Sequence, residues 1–235
     1  MPVKATKRGM WHAQPDFGTF ELWYRGVRLM PDAGAYSYSG DEQIERWRSY
    51  FKATARHNAL TLDGKDYLDP EPELIKWVPD APVQHLAVRH KAYEGLVRRK
   101  DIWFVDDAIF VVMDEVSGRA CGTLSLANCL GRGYVSGKDG DYVYKSNEAP
   151  VGMRVVMAAP DGARAEVDSD FCSERFQQKY SRPVLRLCVQ RLRGSGVQRF
   201  VTVLCPFSGD KAPQVELDAK RLRVTVDGKE YKLKK

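Results

Sequence analysis

Three short stretches in the first part of the chain concentrate residues able to exchange protons or hold an ion. They are His12-Ala13-Gln14-Pro15-Asp16-Phe17-Gly18-Thr19-Phe20, Pro31-Asp32-Ala33-Gly34, and Arg56-His57-Asn58-Ala59-Leu60-Thr61-Leu62-Asp63-Gly64. Histidine is the side chain best suited to move a proton near neutral pH, and His12 and His57 are two of only four in the protein. An imidazole, a carboxylate and an amide oxygen form an acceptable mixed ligand set for Zn²⁺, Mn²⁺ or Ca²⁺, so Gln14, Asp32 and His57 could share one ion if their strands are neighbours. The amide oxygen weakens the case for zinc and leaves a harder cation open. The plainer alternative is that Asp32 caps a turn, His57 is a satisfied strand histidine and Gln14 is solvated.

The elements that must position these groups read as strands. Thr19 to Tyr24 alternates, with Phe20, Leu22 and Tyr24 on one face, and Arg25-Gly26 turns the chain into Val27-Arg28-Leu29-Met30. His57 to Leu62 alternates again and ends at Asp63-Gly64, a two-residue hairpin signal. A hairpin is expected around Asp106-Asp107, joining Ile102–Val105 to Ala108–Val116, and a last one at Asp227-Gly228 between Leu222–Val226 and Lys229–Leu233. Val83–Arg89, Arg154–Ala158, Val184–Leu192 and Phe200–Leu204 are further strand candidates. Gln43–Lys52 and Ser173–Lys179 read as short helical or irregular pieces, and Gly131–Pro150 as a long surface loop. Many short strands with regular turn signals predict an all-β fold, an antiparallel β-sandwich of two stacked sheets, with residues 1–235 as one domain.

Composition narrows the partners. No apolar run approaches the ~20 residues that span a bilayer as a helix. The basic N-terminus has no apolar segment behind it, so it does not read as a secretory signal. The net charge of +6 favours polyanions, although 31 acidic residues are interspersed among 37 basic ones. Basic enrichment is local, at Arg46–Arg56 and in the tail from Lys220 to Lys235. Five cysteines without a Cys-x-x-Cys spacing speak against a zinc ribbon or a disulfide scaffold. A bridge between Cys121 and Cys129 across a bend stays open at this level.

Trp-His-x-Gln-Pro-Asp-x-Gly-Thr-Phe-Glu-Leu at Trp11–Leu22, Pro-Asp-Ala-Gly-x-Tyr-x-Tyr-x-Gly-Asp at Pro31–Asp41, and Arg-His-Asn-x-Leu-Thr-Leu-Asp at Arg56–Asp63 together resemble the heparinase II/III-like β-sandwich domain. The nearest resemblance is to the heparinase III type, polysaccharide lyase family 12, whose sandwich is of the supersandwich kind. Ala92–Arg99 and Val112–Val116 are similar to later segments of that family. The resemblance implies a carbon–oxygen lyase that cleaves heparan sulfate or a related uronic-acid glycosaminoglycan by β-elimination, at work in the periplasm or outside the cell. It implies that His12 is a catalytic histidine, and that Gln14, Asp32 and His57 stand at the positions of a structural divalent metal site. Relatives carry a histidine at the position of Gln14, which leaves the identity of the metal open here.

The same resemblance brings expectations about what lies outside this chain. The family's N-terminal (α/α) toroid supplies a tyrosine acting as base or acid and an asparagine that binds the uronate carboxylate. No helical repeat is present to supply them, so the isolated chain is expected to be inactive without that partner. The family's sandwich begins several tens of residues before the Trp-His motif, so the first strands are expected to be missing. Val97 stands where relatives often carry a histidine. Tyr36, Tyr38 and Tyr50 are stand-ins for the missing tyrosine only if they are not simply packed. Arg46, Arg48 and Arg56 could bind sulfate or carboxylate through bidentate contacts, against ordinary surface charge as the alternative. The implied partner is an acidic polysaccharide rather than nucleic acid or a membrane. A non-catalytic glycan-binding sandwich is the alternative function.

Overall fold

A computed structural model describes residues 1–4, 13–68 and 71–235. Its centre is an eight-stranded antiparallel sheet, built in spatial order from β4 (Glu73–Val78), β5 (Val83–Tyr93), β6 (Leu96–Val105), β7 (Ile109–Gly118), β14 (Gln198–Ser208), β11 (Val151–Ala158), β10 (Asp141–Ser146) and β9 (Gly133–Lys138). A four-stranded sheet, β12 (Arg164–Arg175), β13 (Gln178–Arg191), β8 (Gly122–Cys129) and β3 (Leu60–Leu62), packs on one face of it. A three-stranded sheet of β15 (Val215–Asp218), β16 (Arg223–Val226) and β17 (Lys229–Lys232) covers part of the other. The hairpin of β1 (Leu22–Tyr24) and β2 (Val27–Met30), one α-helix, α1 (Glu42–Lys52), and a short 3-10 turn at Thr54–Arg56 complete the described elements. None of the described helices is long and apolar enough to cross a membrane. The all-β sandwich is as the turn pattern predicts.

The two cores explain why the middle strands read as unbroken apolar runs. On β7, Val112 and Val116 face the four-stranded sheet while Val111 and Met113 face the C-terminal one. On β14, Phe200 and Leu204 split from Val201, Val203 and Cys205 in the same way. A strand buried on both faces has no polar alternation to display. The turns obey their chemistry: Asp106 and Asp107 both take left-handed φ of 52° in the β6–β7 hairpin, and Asp227 and Gly228 do so between β16 and β17.

Three local expectations are corrected. Asp63 and Gly64 do take left-handed φ of 54° and 67°, but no hairpin follows. β3 pairs with β8, and Asp63 closes that edge by accepting from the Thr123 amide at 2.9 Å. Gly131–Pro150 is mostly the β9–β10 hairpin, whose outer strand is glycine-rich and exposed, as suits a protected sheet edge. Ser173–Lys179 is the β12–β13 turn, with Gln177 at φ 53° in place of a helix. The cysteines are all free, Cys121 and Cys129 included.

Charges are buried on the inner face of β6 and β7. Arg98 Nε donates to Asp114 Oδ1 at 2.7 Å, and the Lys100 ammonium lies 3.6 Å from Asp114 Oδ2. Arg98 Nη1 reaches beyond the sheet to the Phe17 carbonyl (3.0 Å) and the Tyr67 hydroxyl (2.8 Å). Lys100 donates to the Asn58 carbonyl at 3.3 Å. Removing the single carboxylate strands two buried cations, a class of change that costs about 3–5 kcal/mol. Asp114→Asn is therefore expected to lower unfolding free energy by that amount in urea titrations. A loss under about 1 kcal/mol would mean that the cations find compensation elsewhere.

Candidate functional site

The segment around Gln14, the turn after β2 and the residues after α1 meet at one end of the sandwich. Each is fixed by contacts that its local sequence supplies. After β2 the chain turns at Pro31-Asp32-Ala33-Gly34, where the Gly34 amide donates to Asp32 Oδ1 at 2.8 Å. Gly34 sits at φ +82° and pairs with Ser173 of β12, and a Cβ there would collide with the Ser173 carbonyl. The tight path expected at this glycine is thus real, and it is what turns the Asp32 side chain back across the β2 end.

His57 closes a single 3-10 turn, Thr54–Arg56, that follows α1. Its Nδ1 lies 3.0 Å from Asp32 Oδ2 and its side chain is fully buried. Burial pushes the Asp32 carboxyl up, but the charge and hydrogen bond of His57 and the Gly34 amide outweigh this and bring it to about 2. Asp32 is then an acceptor only, so Nδ1 carries a proton, and in the neutral ring Nε2 presents a lone pair. That Nε2 is buried and has no hydrogen-bond partner among the described residues.

Gln14 arrives from the opposite side. Its Nε2 donates to the Gly34 carbonyl at 3.1 Å, which fixes the amide and leaves Oε1 buried without a partner. Asp16, also buried, is ion-paired to Lys4, and ligand-type atoms of Asp16, Asp32 and His57 lie within 4.8 Å of one another. Two orphaned lone pairs of metal-ligand type, one nitrogen and one amide oxygen, beside two carboxylates make a donor set that fits a divalent ion. A carboxylate holding the far nitrogen of a ligating histidine is the usual way such a ring is oriented.

Arg182 of β13 ties the converging segments together. It is fully buried and donates to the Pro31 carbonyl at 2.9 Å and the Arg56 carbonyl at 2.7 Å, gripping the chain on either side of the Asp32–His57 pair. Asn58 adds a second clamp, donating to the Phe20 carbonyl and accepting from the Cys129 amide, each at 2.7 Å. A cleft of about 500 Å³ opens above, with Gln14 and Asp32 in its lining and Tyr38 (62 % exposed) and Phe176 (65 % exposed) on its walls.

The other expected residues fall as follows. His12 lies outside the described residues. Arg46 and Arg48 are on α1 and pair with Glu42 (2.5 Å) and Glu45 (3.6 Å) of the same helix. Arg56 packs over the Tyr50 ring, 4.2 Å from its centroid, and pairs with Asp170 at 3.1 Å. None of the three lines the cleft that holds Gln14 and Asp32. Tyr36 and Tyr38 do line it, whereas the Tyr50 hydroxyl is given to Asp170. Sequence reading placed Asp16 beside the site without including it among the ligands, although it is two residues from Gln14 in one block. Arg182 carried no local signal, because its role exists only once β13 is packed.

Gly34→Ala adds a methyl group to a backbone that has neither the space nor the φ for it. It is expected to cost about 2–4 kcal/mol and to release the Asp32 side chain, read as a lowered melting temperature. A change of less than about 0.5 kcal/mol would show that the turn can be rebuilt without its glycine.

Residues 3–191 match the family model described as heparinase II/III-like, C-terminal. The chain is 30% identical over 236 residues to a heparin-sulfate lyase of Bacteroides stercoris, an alignment covering 100% of this chain and 35% of that protein. It is 28% identical over 242 residues to a heparin-sulfate lyase of Pedobacter heparinus, covering 98% and 37%. Among solved structures, a heparinase III superposes with a TM-score of 0.90 at 30% identity, covering 98% of this chain and 38% of the other. The heparan sulfate lyase of Pedobacter heparinus gives 0.89 at 26%, with the same coverage. The chain thus spans little more than a third of the length of these relatives, and it belongs to the heparinase II/III-like family as that family's C-terminal β-sandwich.

Proposed function

We propose that this chain is the sandwich portion of a polysaccharide lyase that cleaves heparan sulfate, or a related uronic-acid glycosaminoglycan, by β-elimination. The observation that carries the reading is the meeting of Gln14, Asp32 and His57 beneath an open cleft, in a chain whose family relatives are heparin-sulfate lyases. In that reaction a base takes the proton from C5 of the uronate. The electron pair left behind forms the C4–C5 double bond as the bond from C4 to the glycosidic oxygen breaks, and that oxygen leaves with a proton. Neutralising the carboxylate makes the C5 proton acidic, and fixed donors stabilise the charge that grows there.

His12 is assigned proton transfer at the uronate, and the tyrosine and asparagine of an N-terminal (α/α) toroid are assigned the remaining chemistry. Arg46, Arg48 and Arg56 are assigned to the sulfate and carboxylate groups of the chain beyond the reacting sugar. Gln14, Asp32 and His57 are assigned to the site of a divalent ion (Zn²⁺, Ca²⁺ or Mn²⁺), with Gln14 Oε1 and His57 Nε2 as donors and Asp32 as the carboxylate that holds the ring from Nδ1. Such an ion would act structurally, drawing the Gln14 segment onto the β2 turn under the cleft. Action in the periplasm or outside the cell follows from the substrate class.

Two measurements test the reading. Mixed with a separately expressed heparinase III-type toroid, the chain is expected to generate the ultraviolet absorbance of 4,5-unsaturated uronate from heparan sulfate. His12→Ala is expected to reduce that rate by at least about a hundredfold. If the two pieces associate and the absorbance stays flat, the catalytic assignment fails and a glycan-binding module is the better description. For the ion, a chelator is expected to lower the melting temperature by roughly 5–10 °C, with recovery on adding back one of the three metals. Asp32→Asn should abolish that response, and no shift with any of the metals would remove the ion from the account.

A further inference from the structure

A second cleft, of about 340 Å³, shares no lining residue with that of Gln14 and Asp32 and lies where β4 and the start of β5 meet the end of the chain. Every charged group in its lining is a lysine: Lys76 from β4, Lys232 from β17 and Lys234 just beyond it. Lys76 and Lys234 make no ion pair among the described residues, and Lys232 has only a 3.5 Å contact with Glu230. Cations gathered from distant parts of a chain repel one another, and no carboxylate in the lining offsets them.

The back wall is built as a site would be. Trp103 anchors the tail by donating its Nε1–H to the Lys234 carbonyl at 3.1 Å, and its ring stacks on His85 at 4.7 Å. His85 is buried, and its Nε2 lies 2.8 Å from Asp101 Oδ1. Asp101 is itself held by Arg99 at 2.6 and 2.7 Å, so its charge is already matched and does not quench the lysines. His85 Nδ1 is buried with no partner among the described residues; with Nε2 donating to Asp101 it is an acceptor, suited to a water or a glycan hydroxyl rather than to the oxyanion itself. Lys232 and Lys234, from the basic C-terminal tail noted in the sequence, thus share one concavity with Lys76.

The geometry points to this cleft as an oxyanion-binding site for the sulfate or carboxylate groups of an acidic glycan, separate from the Gln14–Asp32–His57 cleft. The choice of a glycan as carrier rests on the proposed function, whereas the oxyanion chemistry rests on the lysines. A polymer held here and at the first cleft together would gain effective concentration at each.

The test measures affinity of the 235-residue chain for immobilised heparan sulfate at fixed ionic strength, with the double variant Lys76→Ser/Lys234→Ser. Two lost charge contacts at a half-exposed site are expected to weaken binding roughly five- to thirty-fold. The control, Lys91→Ser/Lys138→Ser, removes the same net charge from exposed positions outside this cleft and is expected to change affinity less than about twofold. An equal loss in both variants, or none in the first, would overturn the site in favour of diffuse charge. Following the Trp103 indole N–H resonance separates the sources: it should move with a heparan sulfate oligosaccharide more than with inorganic sulfate at the same concentration. Movement with inorganic sulfate alone would overturn the glycan assignment. The lyase reading fails separately, through absent turnover of short substrates, which the two lysine substitutions should leave unchanged.

Discussion

The arrangement depends on one buried ion pair. Arg98 and Asp114 sit on neighbouring central strands, and the guanidinium that satisfies the carboxylate also holds the Phe17 carbonyl. That carbonyl belongs to the segment carrying Gln14 and Asp16, which has little regular structure of its own to hold it. Phe17 and Phe20 bury their rings in the sandwich core, while the backbone between them needs donors that an apolar sheet face could not give. Arg98 and Asn58 supply them. A pair of this kind is weak evidence for added stability, since hydrophobic replacements are often as good. What it contributes is position: one arrangement of the segment satisfies the cation, and others leave it bare.

The groups around the pair have adapted to it. Burial, reinforced by the neighbouring Arg98 and Lys100 charges, pushes the His90 imidazole down to about 2, so it packs as a neutral ring between Phe17 and Tyr67. Burial also draws the Lys100 ammonium down to about 7 despite the pull of Asp114. Burial thus lightens, without removing, the second positive charge that the one carboxylate has to balance. Arg182, which forms no ion pair within 4 Å among the described residues and feels Asp170 and Asp32 only at longer range, likewise uses two backbone carbonyls to fasten the Asp32 and His57 segments. In both places an arginine buried among strands does what a loop cannot do for itself.

Much of this was legible in the sequence, for identifiable reasons. Strands with one wet face announced themselves by alternation, and turns such as Asp106-Asp107 by residues that tolerate left-handed φ. Motif order and spacing located Gln14, Asp32 and His57 before their contacts were visible. Edge strands were harder: β9 carries Gly133, Gly137 and Lys138, the residues of a loop, because an edge must not invite pairing. Asp63-Gly64 shows a second limit, since turn chemistry fixes a bend but not the strand that comes next. Arg98, Asp114 and Arg182 show a third. Their partners lie 16 to 151 residues away, so nothing local distinguishes them from surface charge.

The Asp32–His57 pair has the outline of a carboxylate-oriented general base, and its burial argues against that role. A base acting on a polymer must reach the cleft, and the His57 side chain is fully enclosed. Its Nε2 is likewise buried, out of reach of a sugar proton in the cleft. Under the proposed function that nitrogen and the buried, unpartnered Oε1 of Gln14 serve a small ion instead. A structural role for the pair then places the demand for proton transfer on groups that reach the open cleft above. The walls described there offer tyrosine hydroxyls and an arginine–glutamate pair, Arg28 with Glu174, but no histidine. Under the proposed function, His12 and a toroid domain supply the proton transfer and the Asp32–His57 pair keeps a purely structural part.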